Sequence, residues 1–343
     1  MPDAGSVVAT VRHSEQTSDH TLTSFAVAFI ALGMLFAAIA AWRHDVFFFR
    51  LATEALIFGG LALSVDVLLG YTGMLSLGQA LFFGLGAYVS ALVMKNLMAS
   101  FWLAMGVTLA VATVVGFVAA VISIRARGIY FALITFGLAQ VVAKVVFNTP
   151  RLGASDGIIG IPVIKIDLFA FRVDAADAGA FFLFCLTFVM ALYFLCAYLA
   201  RTPAGRTLAA IRANEDRVPF LGYPVGLIKV LAFVLAADIA AISGALYPML
   251  RGFVSPELLY FEVSGNAVIT VIIGGVGTLI GPLYGSVVIV GLKSMIGSYT
   301  AHHLIAIGTL FVLSVIFFPQ GLIGYLKTRI ERRIATRRVR TQQ

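Results

Sequence analysis

Charge is what this sequence has least of. Asp, Glu, Lys and Arg make up 12% of its 343 residues, about half the quarter that an ordinary soluble domain carries. So little charge cannot cover a water-facing surface, which excludes a soluble enzyme and a nucleic-acid binder. Cysteine is nearly missing too, with only Cys185 and Cys196 in one apolar run. In a helix they would stand about 16 Å apart along the axis, beyond the roughly 7 Å that a disulfide tolerates, so both read as core filler. Catalytic constellations are absent. Gly291-Leu292-Lys293-Ser294 has Leu where a phosphate-cradling loop needs Gly, and His302-His303 has no Cys or carboxylate at ligand spacing, so no metal site is read. A removable signal is also missing: residues 1–24 are polar, and the first apolar run begins at Phe25. Residues 1–24 are expected to be a disordered cytoplasmic tail.

What is present is apolar. Hydrophobic residues reach 61% and the mean hydropathy is +1.01. A bilayer crossing takes roughly 20 apolar residues, and ten runs approach that length: 25–42, 51–69, 79–98, 101–124, 129–147, 179–200, 227–250, 263–276, 281–298 and 302–319. The run at 263–276 is short for a full crossing. With the N-terminus inside, fifteen Lys and Arg fall in inner connections and seven in outer ones, which the positive-inside rule favours. The expected fold is an all-α polytopic integral membrane protein of about ten transmembrane helices, with a broken or re-entrant segment and both termini cytoplasmic. Its transmembrane body covers 25–319 and a basic cytoplasmic tail covers 320–343. The net charge of +8 thus concerns topology.

Two connections are long. The outer one, 150–178, mixes glycine and proline with aspartates and reads as a partly structured external loop. The inner one, 201–226, sets Leu208, Ile211, Val218 and Leu221 near one face at helical spacing and Arg206, Arg212, Glu215, Asp216 and Arg217 on the others. It reads as one or two short amphipathic helices outside the bilayer. Asn214 is a candidate cap next to acids that suit the helix dipole, and Pro219 interrupts or bends the chain beyond it.

Glycines mark two further segments. GYTGMLSLGQALFFGLGAY (Gly70–Tyr88) holds five of them, and irregular backbone at membrane depth survives only where protein or a watery cavity shelters it. Gly70 and Gly73 read as a break beside a pathway. Tyr71, Thr72, Ser76 and Gln79 would line that pathway or bond the freed backbone groups, and Gly84 and Gly86 fit either the break or close helix approach. In IGGVGTLIGPLYGS, Gly277, Gly281 and Gly285 recur every four residues and form a flat face for a partner helix, after a turn at Gly274 and Gly275. Six ionisable residues, Glu54, Asp66, Lys144, Asp238, Glu262 and Lys293, lie in or at the ends of spans, where each needs a partner, water or an inward position. Asp66 and Asp238 suit inter-helix hydrogen bonding first. A proton relay in an ion-coupled secondary carrier is the alternative.

These stretches, with RGIYFALITFG (Arg127–Gly137), LGASDGIIGIP (Leu152–Pro162), GRTLAAIRANEDRVPFLGY, GFVSP (Gly252–Pro256) and FFPQGLIG (Phe317–Gly324), resemble in order the LivM-type permease subunits of bacterial branched-chain amino acid ABC importers. The resemblance implies a multi-pass inner-membrane permease that pairs with a LivH-like second permease, two ATPase subunits and a periplasmic substrate-binding protein. It implies no cofactor in this chain, ATP and Mg being bound by the partners. It also implies that 201–226 is an ATPase-coupling segment, carried by Gly205, Arg206, Ala210, Ile211, Arg212, Glu215, Asp216 and Gly222, and that Ser155, Asp156 and Gly157 belong to the external loop. The expected solutes are branched-chain or other hydrophobic amino acids, moved by alternating access. Three departures stand out: Leu152-Gly153-Ala154 replaces Thr-Gly-Gly, Asp66 stands where many members carry Asn, and Asp238 interrupts a small, apolar stretch.

Overall fold

The computed structural model describes residues 4–43, 45–168, 171–297 and 321–329, with the single residues 308, 309, 312 and 316. The chain is mostly helical. In order come α1 (Ala4–Arg43), α2 (Val46–Asp66), α3 (Gln79–Asn96), α4 (Phe101–Ser123), α5 (Ile129–Asn148), β1 (Ile158–Ile159), β2 (Lys165–Leu168), β3 (Phe171–Asp174) and α6 (Ala178–Arg201). Then come α7 (Pro203–Ala213), α8 (Val225–Ala245), α9 (Tyr247–Arg251), β4 (Phe253–Val254), α10 (Phe261–Gly274) and α11 (Gly281–Gly297). Nine of the ten expected runs coincide with helices. Most of the run at 302–319, with His302-His303, and most of 320–343 lie outside the described residues.

Among the described residues, six helical stretches are long and apolar enough to cross a membrane: Thr21–Arg43, Val46–Thr72, Phe101–Ser123, Ile129–Asn148, Ala178–Arg201 and Val225–Arg251. The chain is a multi-pass membrane protein. The segment before Phe25, expected to be disordered, instead continues α1 down to Ala4, and no proline interrupts the helix between Ala4 and Arg43. Aspartates start two of the spans. Asp45 accepts from the Phe47 N–H at 3.0 Å and Asp177 from the Gly179 N–H at 3.0 Å, each satisfying a donor that a helix start leaves free.

At the centre, α8 packs against α2, α3 and α4, while α2 also touches α6 and α11 and α10 lies on α11. Small residues allow this density. A Cβ on Gly86 would stand 2.0 Å from the Ala241 carbonyl oxygen, and one on Gly244 would stand 1.9 Å from that of Phe83. Helices α3 and α8 therefore meet backbone to backbone.

The short run at 263–276 has a structural explanation. Before α10 the chain passes through β4 and a 3-10 turn, Pro256–Leu259, with Val254, Leu258 and Leu259 all buried. Leu259 fits under Gly84, where a Cβ would come within 2.5 Å of its side chain. Irregular, protein-sheltered backbone thus covers part of the depth, and α10 needs only the remainder. The 150–178 loop is tied to the same segment, since β1 pairs antiparallel with β4 through Ile158↔Val254 and Ile159↔Phe253. A second antiparallel pair, β2 with β3, has Lys165 opposite Asp174.

Candidate functional site

Helix α2 does not end cleanly. It widens into a π-helical turn, Val67–Thr72, closed by Gly73 at φ +74, whose N–H donates to the Leu68 carbonyl. A left-handed residue at this point has to be glycine to escape strain, and π turns recur where helices carry function. Residues 73–78 are irregular before α3 starts at Gln79. The break expected between Gly70 and Gln79 is there, and two of its polar residues, Thr72 and Ser76, bond the chain's own backbone. The Thr72 hydroxyl accepts from the Met74 N–H at 3.2 Å and Ser76 Oγ accepts from the Gly78 N–H at 3.3 Å. From outside the break, Thr135 of α5 accepts from the Leu77 N–H at 3.2 Å and Ser264 of α10 accepts from the Ala80 N–H at 2.9 Å. Thr72, Ser76 and Gln79 are buried, Tyr71 is half-buried and Gly73 is exposed.

Two distant segments close on this break. Asp66, fully buried, accepts from the Gly277 N–H through Oδ1 at 2.6 Å and from the Leu279 N–H through Oδ2 at 2.8 Å. Bonds to an ionised acceptor are about twice as strong as neutral ones, so one carboxylate holds the turn between α10 and α11 against the end of α2. This corrects one expectation: Gly277 is not on a helix face but in that turn, at φ +80. Gly281 and Gly285 do provide close packing. A Cβ on Gly285 would lie 2.3 Å from the Thr270 carbonyl oxygen of α10, and one on Gly281 would lie 2.6 Å from that of Gly274.

The second segment is α7. The Arg212 guanidinium donates to the Gly70 carbonyl oxygen, and its stem lies 3.2 Å from where a Gly73 Cβ would be. A Cβ on Gly70 would in turn sit 2.7 Å from the Gly277 backbone. Gly70, Gly73, Gly277, Asp66 and Arg212 thus form one junction, where two glycine turns touch and one arginine from α7 covers them.

Helix α7 is anchored by few groups. Thr202 caps its start, accepting from the Gly205 N–H at 3.4 Å. Gly205 is pressed against the Ala200 carbonyl oxygen, 2.3 Å from a built Cβ, which sets the sharp corner with α6. Ile211 and Val218 face inward, Leu208 and Ala210 are half-buried, and Arg206 and Gly222 are exposed. Leu221, expected on the inner face, is 71% exposed beside Phe220 at 91%. The reason is local: α7 stops at Ala213, Asn214 accepts from the Arg217 N–H at 3.2 Å, and a separate 3-10 turn, Val218–Leu221, re-aims the side chains. Glu215 pairs with the buried Lys229 of α8 at 2.8 Å and with Arg127 at 3.4 Å, and Arg127 also bonds Asp216 at 2.9 Å. The Asp216 hydrogen bond, then the charges of Glu215 and Asp216, raise the Arg127 pKa above its ordinary value. Between α7 and the bundle lies an apolar cavity of about 310 Å³, lined in part by Val67, Tyr71, Cys196, Leu208, Ile228 and Leu279.

At the opposite end Glu54 and Arg251 pair at 2.6 Å, and Asp238 accepts from the Thr113 hydroxyl at 3.0 Å. Lys144, Glu262 and Lys293 are exposed. Ser155 and Asp156 are exposed in a 3-10 turn, and Gly157 lies against the Val254 carbonyl oxygen. Both cysteines are free and buried. The α7 junction escaped sequence reading because its members lie as much as 211 residues apart. The one hint was Asp66, an acid at the end of an apolar run and four residues before Gly70.

A family model described as "Branched-chain amino acid transport system / permease component" matches residues 47–318. Among curated relatives, the high-affinity branched-chain amino acid transport system permease protein LivM of Escherichia coli (strain K12) is 28% identical over 301 residues, covering 82% of this chain and 71% of its own. The permease protein LivH of the corresponding system in Salmonella typhimurium is 22% identical over 299 residues, covering 80% and 92%. A probable branched-chain amino acid transport permease protein LivM of Methanocaldococcus jannaschii is 23% identical over 312 residues, covering 76% and 89%. No solved structure matches.

Proposed function

The chain belongs to the family of branched-chain amino acid transport permease components, and from that premise we propose that it is one permease subunit of an ATP-driven importer of branched-chain or other hydrophobic amino acids. Its relatives are transport permeases rather than enzymes, and they include both LivM and LivH proteins. A second, LivH-like permease completes the membrane pair. Two ATPase subunits bind ATP and Mg, a periplasmic binding protein delivers the solute, and the assembly sits in a bacterial inner membrane with both termini of this chain in the cytoplasm. About ten helices make up the permease body, between a cytoplasmic segment at 1–24 and a basic tail at 320–343.

The observation that carries the mechanical reading is the contact of Arg212 with the broken helix. In this reading 201–226 faces the cytoplasm and docks an ATPase through the exposed tip at Phe220 and Leu221 and through Arg206. Gly205, Ala210, Ile211 and Gly222 shape that segment, while Glu215 and Asp216 tie it to Lys229 and Arg127. Closure of the ATPases displaces α7 as a rigid body. Arg212 passes the displacement to the Gly70–Gly73 turn and, through Gly277 and Asp66, to α10 and α11. The apolar cavity behind α7 leaves room for the movement. Tyr71, Thr72, Ser76 and Gln79 then serve the pathway from behind, by keeping the break in shape. Ser155, Asp156 and Gly157 belong to the outer loop, which receives the binding protein.

Nothing favours an ion-coupled carrier: both oxygens of Asp66 are engaged by backbone amides, and Asp238 is held by Thr113. The test is uptake of labelled leucine into proteoliposomes holding the complete complex and its binding protein. ATP-dependent uptake is expected. Uptake that continues without ATP, driven by a proton or sodium gradient, would overturn the reading.

A further inference from the structure

Two neighbouring helices present different faces to their surroundings. The exposed residues of α4 are apolar or small, among them Trp102, Leu109, Val114, Phe117, Val118 and Ile122, apart from Thr113, and the Thr113 hydroxyl is bonded to Asp238. That face suits lipid. Along α5 the exposed and half-exposed positions Tyr130, Leu133, Gly137, Val141, Lys144 and Asn148 fall on one helical stripe. They include a phenol, an ammonium and an amide. Beside the stripe, Gln140 Nε2 is buried without a hydrogen-bond partner among the described residues. Next to α5, the start of α10 exposes Glu262, which makes no hydrogen bond or ion pair among the described residues.

Depth decides what Glu262 means. Its neighbour Phe261 packs edge-on against Phe136, ring centroids 5.2 Å apart. Phe136 lies seven residues from the Ile129 end of α5 and twelve from the Asn148 end, or about 10 Å and about 18 Å along the axis. Phe136 lies about a third of the way along a helix as long as the hydrocarbon layer is thick, so Glu262, next to its ring partner, starts α10 within the span of α5 rather than at its end. A carboxylate there is not tolerated against lipid tails and marks a watery route or a protein contact. Gly137 has open space around it and Gly265 meets only the Phe261 ring, at 3.9 Å, so small residues leave the surface beside Glu262 uncrowded.

We propose that the α5–α10 face lines the solute route against the second permease subunit, and that the Glu262 carboxylate receives the solute's ammonium group there. The solute class is a zwitterionic amino acid with an apolar side chain, for which the stripe supplies Leu133 and Val141 and the adjoining half-buried Phe136 supplies its ring. Lys144 lies eight residues from Phe136, about 12 Å further along the axis. The Lys144 ammonium lies 5.3 Å from the centroid of the Phe147 ring. The proposal rests on the paired-permease reading and adds to it the face and the residue.

The complete complex in proteoliposomes, with its binding protein, tests this in two ways. Glu262→Gln is expected to lower ATP-driven uptake of labelled L-leucine at least tenfold while ATPase activity stays within twofold of wild type, with Glu262→Asp intermediate. Glu262→Cys, in a chain whose own cysteines are buried, is expected to react with a cationic, membrane-impermeant methanethiosulfonate, and more slowly during leucine turnover. Wild-type uptake by Glu262→Gln overturns the proposal. So does a Glu262→Cys variant modified only by a lipid-soluble maleimide, or by neither reagent. If the wild-type complex takes up no leucine with ATP, the importer reading fails, and the labelling still reports whether this face meets water.

Discussion

The α3–α8 contact and the α7 junction are built from the same residue type to opposite effect. Where α3 meets α8, glycines bring backbone onto backbone, and Gly86 and Gly244 each leave no room for even one carbon. Where α7 meets the bundle, glycines supply turns instead of a flat face. The contact is one arginine, a small set of charge pairs and a wall of apolar side chains over a void. Close packing of the first kind is stiff because interiors resist compression. The second kind has few attachments to break and space to move into. One molecule thus holds a rigid block and a loosely strapped lever, and the difference lies in what surrounds the glycines rather than in how many there are.

The contrast can be tested from its strongest point downward. Gly86→Leu should abolish recovery of the assembled complex after detergent extraction. Overpacking costs about 1–3 kcal/mol in an ordinary core, and here the added carbon meets a backbone carbonyl that cannot turn aside. Normal recovery of this variant would mean that the block is not rigid. Arg212→Ala should assemble and hydrolyse ATP yet lose roughly tenfold or more of its uptake, since a hydrogen bond from a charged donor is worth about 1.5–3 kcal/mol and this one joins lever to break. If transport fell only in proportion to ATP hydrolysis, the strap would not be the link.

Glu215→Lys comes next. It places a cation beside buried Lys229 and Arg127, and because Glu215 is 28% exposed the penalty should fall below the roughly 3–5 kcal/mol of a fully buried pair. Weakened retention of the ATPases in pull-downs is the expected result, and undiminished retention would separate this cluster from docking. Thr202→Ala is the smallest change. Loss of a cap costs about 0.5–2 kcal/mol, and the long 3.4 Å bond argues for the low end. A slight drop in melting temperature with more than half of the uptake kept would fit a corner set mainly by Gly205.

Much of this architecture was legible in advance, because hydrophobic run length speaks directly to a bilayer. The helix starts at Gln79, Phe101 and Ile129 agree with the apolar runs to within a residue. Misreadings arose where a distant group decides a local shape. The spacing of Gly277, Gly281 and Gly285 suits a helix face, but the Asp66 carboxylate draws the Gly277 N–H into a turn. Leu221 has helical spacing with Ile211, but Asn214 ends the helix between them. The polar residues after Gly70 were visible as a set, whereas the bonds that the Leu77 and Ala80 N–H groups make to Thr135 and Ser264 of other helices were not. Lys144 and Glu262 stood out as ionisable residues in apolar runs, but their exposure comes only from the way α5 and α10 are packed.

The Asp66 contact also bears on how the polypeptide is made. A ribosome delivers Asp66 to the membrane machinery long before it has synthesised Gly277 and Leu279, the amides that satisfy it from 211 and 213 residues further on. Until then the end of α2 has to stay near headgroups and water. A nascent chain arrested before Gly277 should leave that end reachable by soluble reagents, and it becomes shielded only once the chain has been translated past Leu279.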